Sequence, residues 1–355
     1  MKERVAIICG GRSSEHEISC ISAGGVLAAI DRSKYEPILI GITRTGQWVL
    51  IPENHQMTIR DGVLPTVPET APAVVVDVAG LSSGGSALSI DIVFPLLHGP
   101  YGEDGSIQGL LEMADIAYVG SGVLASAVAM DKSFAKPIFA AHGIATAHGI
   151  VVKASDWKTN ATAITAEIES LGFPLFIKPA RGGSSRGTTK VKSTDQITAA
   201  IEEAHQFDPK AIVEIAIVGS EIECAVLEID GQPQASMVGK IHIDSKFEFY
   251  DFEAKYLDGA TDIELPAPID KKVADAIGAA AVKAFKALGC SGLARVDFFL
   301  TQTNQIVINE LNTMPGFTST SVFPKMWGAS GITYTEVITH LLKSALKRTN
   351  GVLGN

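Results

Sequence analysis

The sequence predicts an α/β protein that opens with a doubly wound domain. Three observations carry the expectation. Residues 4–9 (Arg-Val-Ala-Ile-Ile-Cys) form a short apolar run that stops at Gly10-Gly11, the pattern of a buried parallel strand entering a turn. A helical stretch to about Ile30 and a second apolar run, Tyr35–Ile42, complete a βαβ opening. The chain has 355 residues, more than one ordinary core holds, so about two or three domains are expected.

The elements follow in order. Thr45-Gly46-Gln47-Trp48 turns into a third strand, and residues 62–88, rich in Pro, Gly, Ser and Ala, read as a variable excursion. Ile90–Leu97 is a buried strand ending in the glycine-dense loop His98–Gly105, where a ligand crevice is expected. A helix (106–113), a short strand (116–119) and a helical stretch (123–142) close this part. A second block holds strands near 149–153, 173–179 and 211–215 and helices near 160–171 and 194–203. A third holds strands at 221–229 and 234–243, a polar loop at 244–264, a helix at 270–288, a hairpin and a terminal helix at 333–347.

Composition narrows the function. The chain is 46% hydrophobic with a mean hydropathy of +0.23, enough to bury a large core. Its net charge of −10 opposes non-specific nucleic-acid binding, which needs a basic face. Cys9, Cys20, Cys224 and Cys290 form no CxxC pair and no zinc spacing, as in a reducing compartment. No apolar run is long enough to span a membrane, and the N-terminus reads as a strand start and not a signal peptide, so a cytoplasmic protein is expected.

The residues that carry chemistry lie mainly toward the C-terminus. In Gly292–Leu300, Arg295 and Asp297 are two apart and share a face; in Ile306–Asn312, Glu310 and Asn312 do the same. Closing the polar turn Thr301-Gln302-Thr303-Asn304-Gln305 sets Asp297 roughly opposite Glu310. Two carboxylates and an amide oxygen beside a guanidinium suit Mg²⁺ held together with substrate phosphates. A solvated hairpin face fits the hairpin alone equally well. Gly182–Gly187 (Gly-Gly-Ser-Ser-Arg-Gly) is a loop between strands and matches neither the Rossmann nor the P-loop fingerprint. With Lys178 projecting ahead of it, the loop reads as a cover for phosphates; alone it reads as a plain connection.

Glu214 and Glu221 flank a Gly-Ser turn and suit an adenine amine or ribose hydroxyls, or equally a solvated edge. Lys132 is a second phosphate ligand or a surface lysine. Residues 249–256 (Phe-Tyr-Asp-Phe-Glu-Ala-Lys-Tyr) sit in a long loop and read as a lid. His98 opens a glycine loop at a strand end, whereas His142 and His148 read as structural or surface groups.

Taken together, residues 4–346 resemble the D-alanine:D-alanine ligases of the ATP-grasp superfamily. Gly10–Ser19, His98–Gly105, Lys178–Ser185, Tyr250–Gly259 and Asn309–Ser321 carry the likeness in order and at compatible spacing. The resemblance implies an N-terminal doubly wound α/β domain followed by a two-part ATP-grasp fold. Its divisions would be residues 1–125 (substrate binding), 126–215 (central) and 216–355 (catalytic). It implies ATP-dependent joining of two D-alanines through an acyl phosphate, for peptidoglycan precursors, with two Mg²⁺ (or Mn²⁺) ions, K⁺ as a further candidate, and a homodimer.

By the same likeness Glu15 holds the first D-alanine's ammonium, with His98 and Lys255 nearby. Lys132, Lys178 and Ser185 bind ATP phosphates, and Glu214 and Glu221 the nucleoside. Asp297, Glu310 and Asn312 hold metal. Arg295 and the Gly316 N–H stabilise the transferring group, Ser321 takes the second carboxylate, and Ser184 and Tyr256 lock the lid through Glu15. Tyr256 favours an amine nucleophile over D-lactate. Ile215-Ala216 and Arg186 depart from the usual pattern beside the nucleotide. The alternatives are a D-alanine:D-lactate or D-alanine:D-serine ligase or another ATP-grasp carboxylate-amine ligase, a nucleotide-binding oxidoreductase suggested by the early Gly-Gly turn, and a catalytically silent binding protein.

Overall fold

The computed structural model describes residues 2–183, 185–243 and 261–348. The first sheet has the order β3-β2-β1-β7-β8, with β1 (Glu3–Gly10), β2 (Tyr35–Ile42), β7 (Ile92–Pro95) and β8 (Ala117–Tyr118) parallel and β3 (Trp48–Ile51) antiparallel on the edge. Alternate residues of β1 face opposite ways. Val5, Ile7 and Cys9 enter one core, while Ala6 and Ile8 enter another with Val93, Ile107 and Tyr118. Burial on both faces is why β1 reads as an unbroken apolar run. The strand order turns back between β1 and β7, so the loops after these two strands meet over a crevice.

The first core is shared with the end of the chain. Helices Val322–Ala329 and Tyr334–Lys347 press Phe323, Trp327, Val337 and Leu341 against β1 and against Ala225, Leu227 and Leu293. Phe317 is at its centre, with ring centroids 5.4 Å from Phe94, 5.8 Å from Phe323 and 5.5 Å from Tyr334. A capping box at Thr333 and Glu336 starts the last helix.

The second sheet is antiparallel, β11-β10-β12-β9, with β9 (Gly149–Lys153), β10 (Leu175–Pro179), β11 (Thr189–Val191) and β12 (Lys210–Ile215). Leu175, Ile177 and Val213 pack on helices Ala154–Ser170 and Ile197–Phe207, which turns Phe176, Lys178 and Glu214 to the opposite face. The third sheet runs β16-β15-β13-β17-β18, from β13 (Gly219–Ile229), β15 (Gly239–Ile243), β16 (Thr261–Glu264), β17 (Leu293–Thr301) and β18 (Ile306–Asn312), with β14 (Gln232–Ala235) off β13.

Several boundaries differ from the sequence reading. The stretch 123–142 is two helices, because Asp131 is extended and its side chain caps the second by accepting from the Ser133 N–H. The helix expected at 160–171 starts at Ala154 and runs to Ser170, with Asn160 non-helical inside it. The excursion 62–88 contains a small sheet, β4 (Val74–Asp77), β5 (Gly80–Ser83) and β6 (Ser86–Ala87). The strand read at 234–243 is two, and the end of the polar loop is β16. Helix Val322–Ala329 was not expected, because Pro324 and Gly328 mask its pattern.

Candidate active site

A cleft of about 530 Å³ lies between the second and third sheets, and a smaller cavity of about 80 Å³, lined by Glu15, His98 and Glu103 of the first sheet's loops, shares Lys132, Gly182 and Glu310 with it. The cleft's floor is the hairpin. The register pairs Asp297 with Glu310 and Arg295 with Asn312, and a β-bulge follows Asp297. The bulge leaves Asn309 as the extra residue of β18, so Asn309 joins Glu310 on the cleft side, and its Oδ1 accepts from Lys178 Nζ at 3.1 Å. Strict alternation would have sent Asn309 to the other face, and the sequence reading missed it.

Two lysines close over this floor. Lys132, at the start of helix Lys132–Ala141, puts Nζ 2.9 Å from Glu310 and 3.0 Å from the Gly182 carbonyl, joining the hairpin to the glycine loop. Burial opposes the Lys132 charge, but Glu310 outweighs it and the pKa ends above its usual value. Lys178 is 2.8 Å from Glu214. Lys136, one turn beyond Lys132 on the same helix face, also pairs with Glu214. Burial brings its pKa down to about 8. The spacing of four between Lys132 and Lys136 was the available signal for it. Arg181 anchors the glycine loop: its N–H, Nε and Nη2 donate to the Asp208 carboxylate at 2.8, 2.9 and 3.0 Å.

The smaller cavity brings Glu15, His98, Glu103, Lys132, Arg295, Asn312 and Gly316 together. Glu15 is buried at the start of the helix after the first strand, and the backbone of Gly99 comes so close that an added Cβ would lie 2.9 Å from its Oε2. His98 Nδ1 is 3.0 Å from the Met314 carbonyl, which can only accept, so Nδ1 carries the proton and Nε2 accepts from Ser22 at 3.2 Å. Burial lowers the His98 pKa, consistent with a neutral ring. Glu103, which the sequence reading passed over inside the His98–Gly105 loop, accepts from the Gly99 N–H at 2.6 Å. Burial, then the Glu15 carboxylate, push its pKa up to about 8.

The comparisons fit this geometry. Residues 4–121 match the family described as D-ala D-ala ligase N-terminus, and residues 138–343 the one described as D-ala D-ala ligase C-terminus. The D-alanine–D-alanine ligase of Kineococcus radiotolerans is 47% identical over 370 residues, covering 99% of this chain and 98% of the relative. That of Mycobacterium avium is 47% identical over 366 residues, covering 98% of each.

The chain belongs to the D-alanine–D-alanine ligase family.

Solved structures agree. The D-Ala:D-Ser ligase VanG of Enterococcus faecalis superposes with a TM-score of 0.85 at 38% identity, covering 97% of this chain and 100% of that one. The D-alanine–D-alanine ligase of Coxiella burnetii gives 0.83 at 34%, covering 98% and 94%. The fold is therefore the ATP-grasp fold of these ligases. Within this family member Gly316 lines the smaller cavity, where a Cβ would sit 3.2 Å from Ser321 Oγ. Ser321 caps the chain ahead of helix Val322–Ala329, and its Oγ accepts from the Thr318 N–H at 3.0 Å. Ser185 and Glu221 line the large cleft. Ser184, Lys255 and Tyr256 lie outside the described residues.

Two carboxylates and an amide, open to the cleft, fit a hard divalent ion that takes its remaining ligands from phosphate and water. The Asn312 Oδ1 accepts from the Met314 N–H at 3.2 Å, which aims the amide oxygen and leaves it a second lone pair. Among the described residues no group of three or more His, Cys, Asp or Glu side chains is placed to hold a metal ion by itself.

Glu214 yields a first prediction. Lys178 and Lys136 hold its pKa down to about 2 against the opposing effect of burial. A folded pKa below the ordinary 4.5 means the ion pairs stabilise fully above about pH 4.5 and are lost as pH falls toward 2. Glu214→Gln would leave two buried lysines facing each other and should cost about 3 kcal/mol at neutral pH. Urea unfolding at pH 7 and pH 3 checks this. A variant as stable as the wild type at pH 7 would remove the structural role.

Proposed function

We propose that this chain joins two D-alanines, at the expense of ATP, through a D-alanyl phosphate. The observation that carries the reading is the meeting of three groups of side chains in two cavities that share Lys132, Gly182 and Glu310. Lys132, Lys178 and the loop residues Gly182, Ser185 and Arg186 suit the phosphates, the hairpin carboxylates suit the metal, and Glu15 with His98 suits an amino acid at the far end. Family membership at 47% identity supports the same activity.

In this reading Glu15 takes the ammonium of the first D-alanine and aims its carboxylate at the γ-phosphate. Lys132 and Lys178 are desolvated cations that draw charge from the phosphates, positioning being most of what phosphoryl transfer needs. Asp297, Glu310 and Asn312 would hold Mg²⁺ or Mn²⁺, which when bound neutralises phosphate charge. Arg295 and the Gly316 N–H face the acyl carbon, where negative charge develops as the second amine attacks. Ser321 takes the carboxylate of the second D-alanine. Ser185 meets phosphate, while Glu221 and Glu214 meet the nucleoside. By family likeness Lys255 meets substrate, and Ser184 and Tyr256 link to Glu15. The three-part division of the chain, K⁺, a homodimer and a cytoplasmic location belong to the reading on the same footing.

The test is an acceptor panel: purified protein with Mg-ATP and D-alanine, alone and with D-serine or D-lactate, the products separated by mass. The reading expects D-alanyl-D-alanine from D-alanine alone. A product formed only when D-serine is present would move the chain to the activity named for VanG; depsipeptide would point to D-lactate.

A further inference from the structure

Glu223 was not singled out in the sequence, and no step above uses it. It is buried, its side chain only 3% exposed, in the strand beside the metal hairpin. The register pairs Glu223 with Asp297, and Asp297 with Glu310, so three carboxylates form one row across β13, β17 and β18. The adjacent row is Ala225, Arg295 and Asn312. Arg295 therefore stands diagonally between Glu223 and Asp297, with only a methyl group across from it on β13. Its Nε donates to Asp297 Oδ1 at 2.8 Å and its Nη2 to Asp297 Oδ2 at 2.7 Å, while Nε is also 3.2 Å from Glu223 Oε2.

This arrangement poses a conflict. Each Asp297 oxygen keeps a second lone pair, but a guanidinium held 2.7 and 2.8 Å from them repels a divalent cation drawn to the same carboxylate. Drawing the fork away from Asp297 at a site where the guanidinium is 12% exposed strips it of a charged partner. A second carboxylate already in contact removes most of that penalty, because a small rotation about the Arg295 side chain exchanges one carboxylate for the other. On the opposite side the register partner of Glu223 is Gly239, which adds no side chain to the row.

We propose that Glu223 is a positioning residue that takes the Arg295 guanidinium when a divalent metal claims Asp297. The inference rests on reading the cleft as a metal-nucleotide site. The geometry that carries it is the Arg295 fork donating to Asp297 with the Glu223 carboxylate in ion contact 3.2 Å from Nε on the neighbouring strand.

The experiment uses the full chain as wild type, Glu223→Gln and Glu223→Asp. Mn²⁺ alone is the probe, and free ion is read by electron paramagnetic resonance. Both variants should raise the Mn²⁺ concentration for half-saturation by roughly tenfold, the scale of one buried charge-assisted contact. The Asp variant keeps the charge but is one methylene short of Nε, so a purely through-space charge effect would spare it. A merely structural role would lower the unfolding midpoint without moving the Mn²⁺ titration. Unchanged half-saturation in both variants, a shift in Glu223→Gln alone, or no Mn²⁺ binding to the wild type would each overturn the proposal. The Mg²⁺ activation midpoint of D-alanine-dependent phosphate release should move in step. A wild type that binds Mn²⁺ but releases no phosphate with D-alanine would defeat the proposed reaction and leave the Mn²⁺ arm to decide Glu223 by itself.

Discussion

Glu310→Gln should cut turnover by roughly a thousandfold or more, the scale on which loss of a transition-state electrostatic partner acts. Glu310 stands opposite Asp297 across the bulged hairpin, and its Oε2 is 2.9 Å from Lys132. The carboxylate thus serves two cations: the buried lysine and, in the proposed reaction, the metal at the phosphates. Glutamine keeps the volume and one acceptor oxygen, and Lys132 keeps the Gly182 carbonyl at 3.0 Å, so the fold should survive. Steady-state kinetics at saturating Mg-ATP with a parallel thermal melt would read both parts. A folded variant with near-normal kcat would take Glu310 out of the metal set.

Arg295→Lys should lower kcat by roughly a hundredfold with a smaller change in the KM for ATP. The wild-type side chain engages Asp297 through two separate nitrogens and reaches Glu223 through one of them. Lysine retains a charge but has no planar fork, so it can neither hold both Asp297 oxygens in that plane nor present two parallel N–H groups to a developing oxyanion. A kcat within a few-fold of wild type would mean that Arg295 supplies only charge.

Much of this site was legible because its signals are local. The two-residue spacing of Arg295 with Asp297, and of Glu310 with Asn312, sets a shared face on a strand, and the polar turn at 301–305 sets their opposition. The structure pairs Asp297 with Glu310 as expected. The first strand was legible for the same reason, since burial on both faces leaves an unbroken apolar run. What escaped depends on neighbours distant in sequence. Asn309 reaches the cleft through a bulge that no spacing announces. Glu223 matters because β13 happens to lie beside β17, and Glu103 because a loop from the first sheet accepts hydrogen bonds in a space shared with Met314. The break at Asp131 was missed because a capping aspartate inside a continuous apolar pattern looks like a helical residue until its φ and ψ are known. The shared core of β1 with the last two helices likewise joins the ends of the chain, which a reading by consecutive blocks keeps apart.

In the proposed reaction the first D-alanine is activated on its carboxylate by phosphoryl transfer. Labelling tests it most directly: D-alanine carrying ¹⁸O in its carboxylate is turned over with Mg-ATP, and the released phosphate is analysed by mass. An acyl phosphate requires the labelled oxygen that attacked phosphorus to leave with the phosphate when the second amine displaces it. One ¹⁸O in each phosphate is the predicted result. Unlabelled phosphate, or label appearing in AMP, would contradict it.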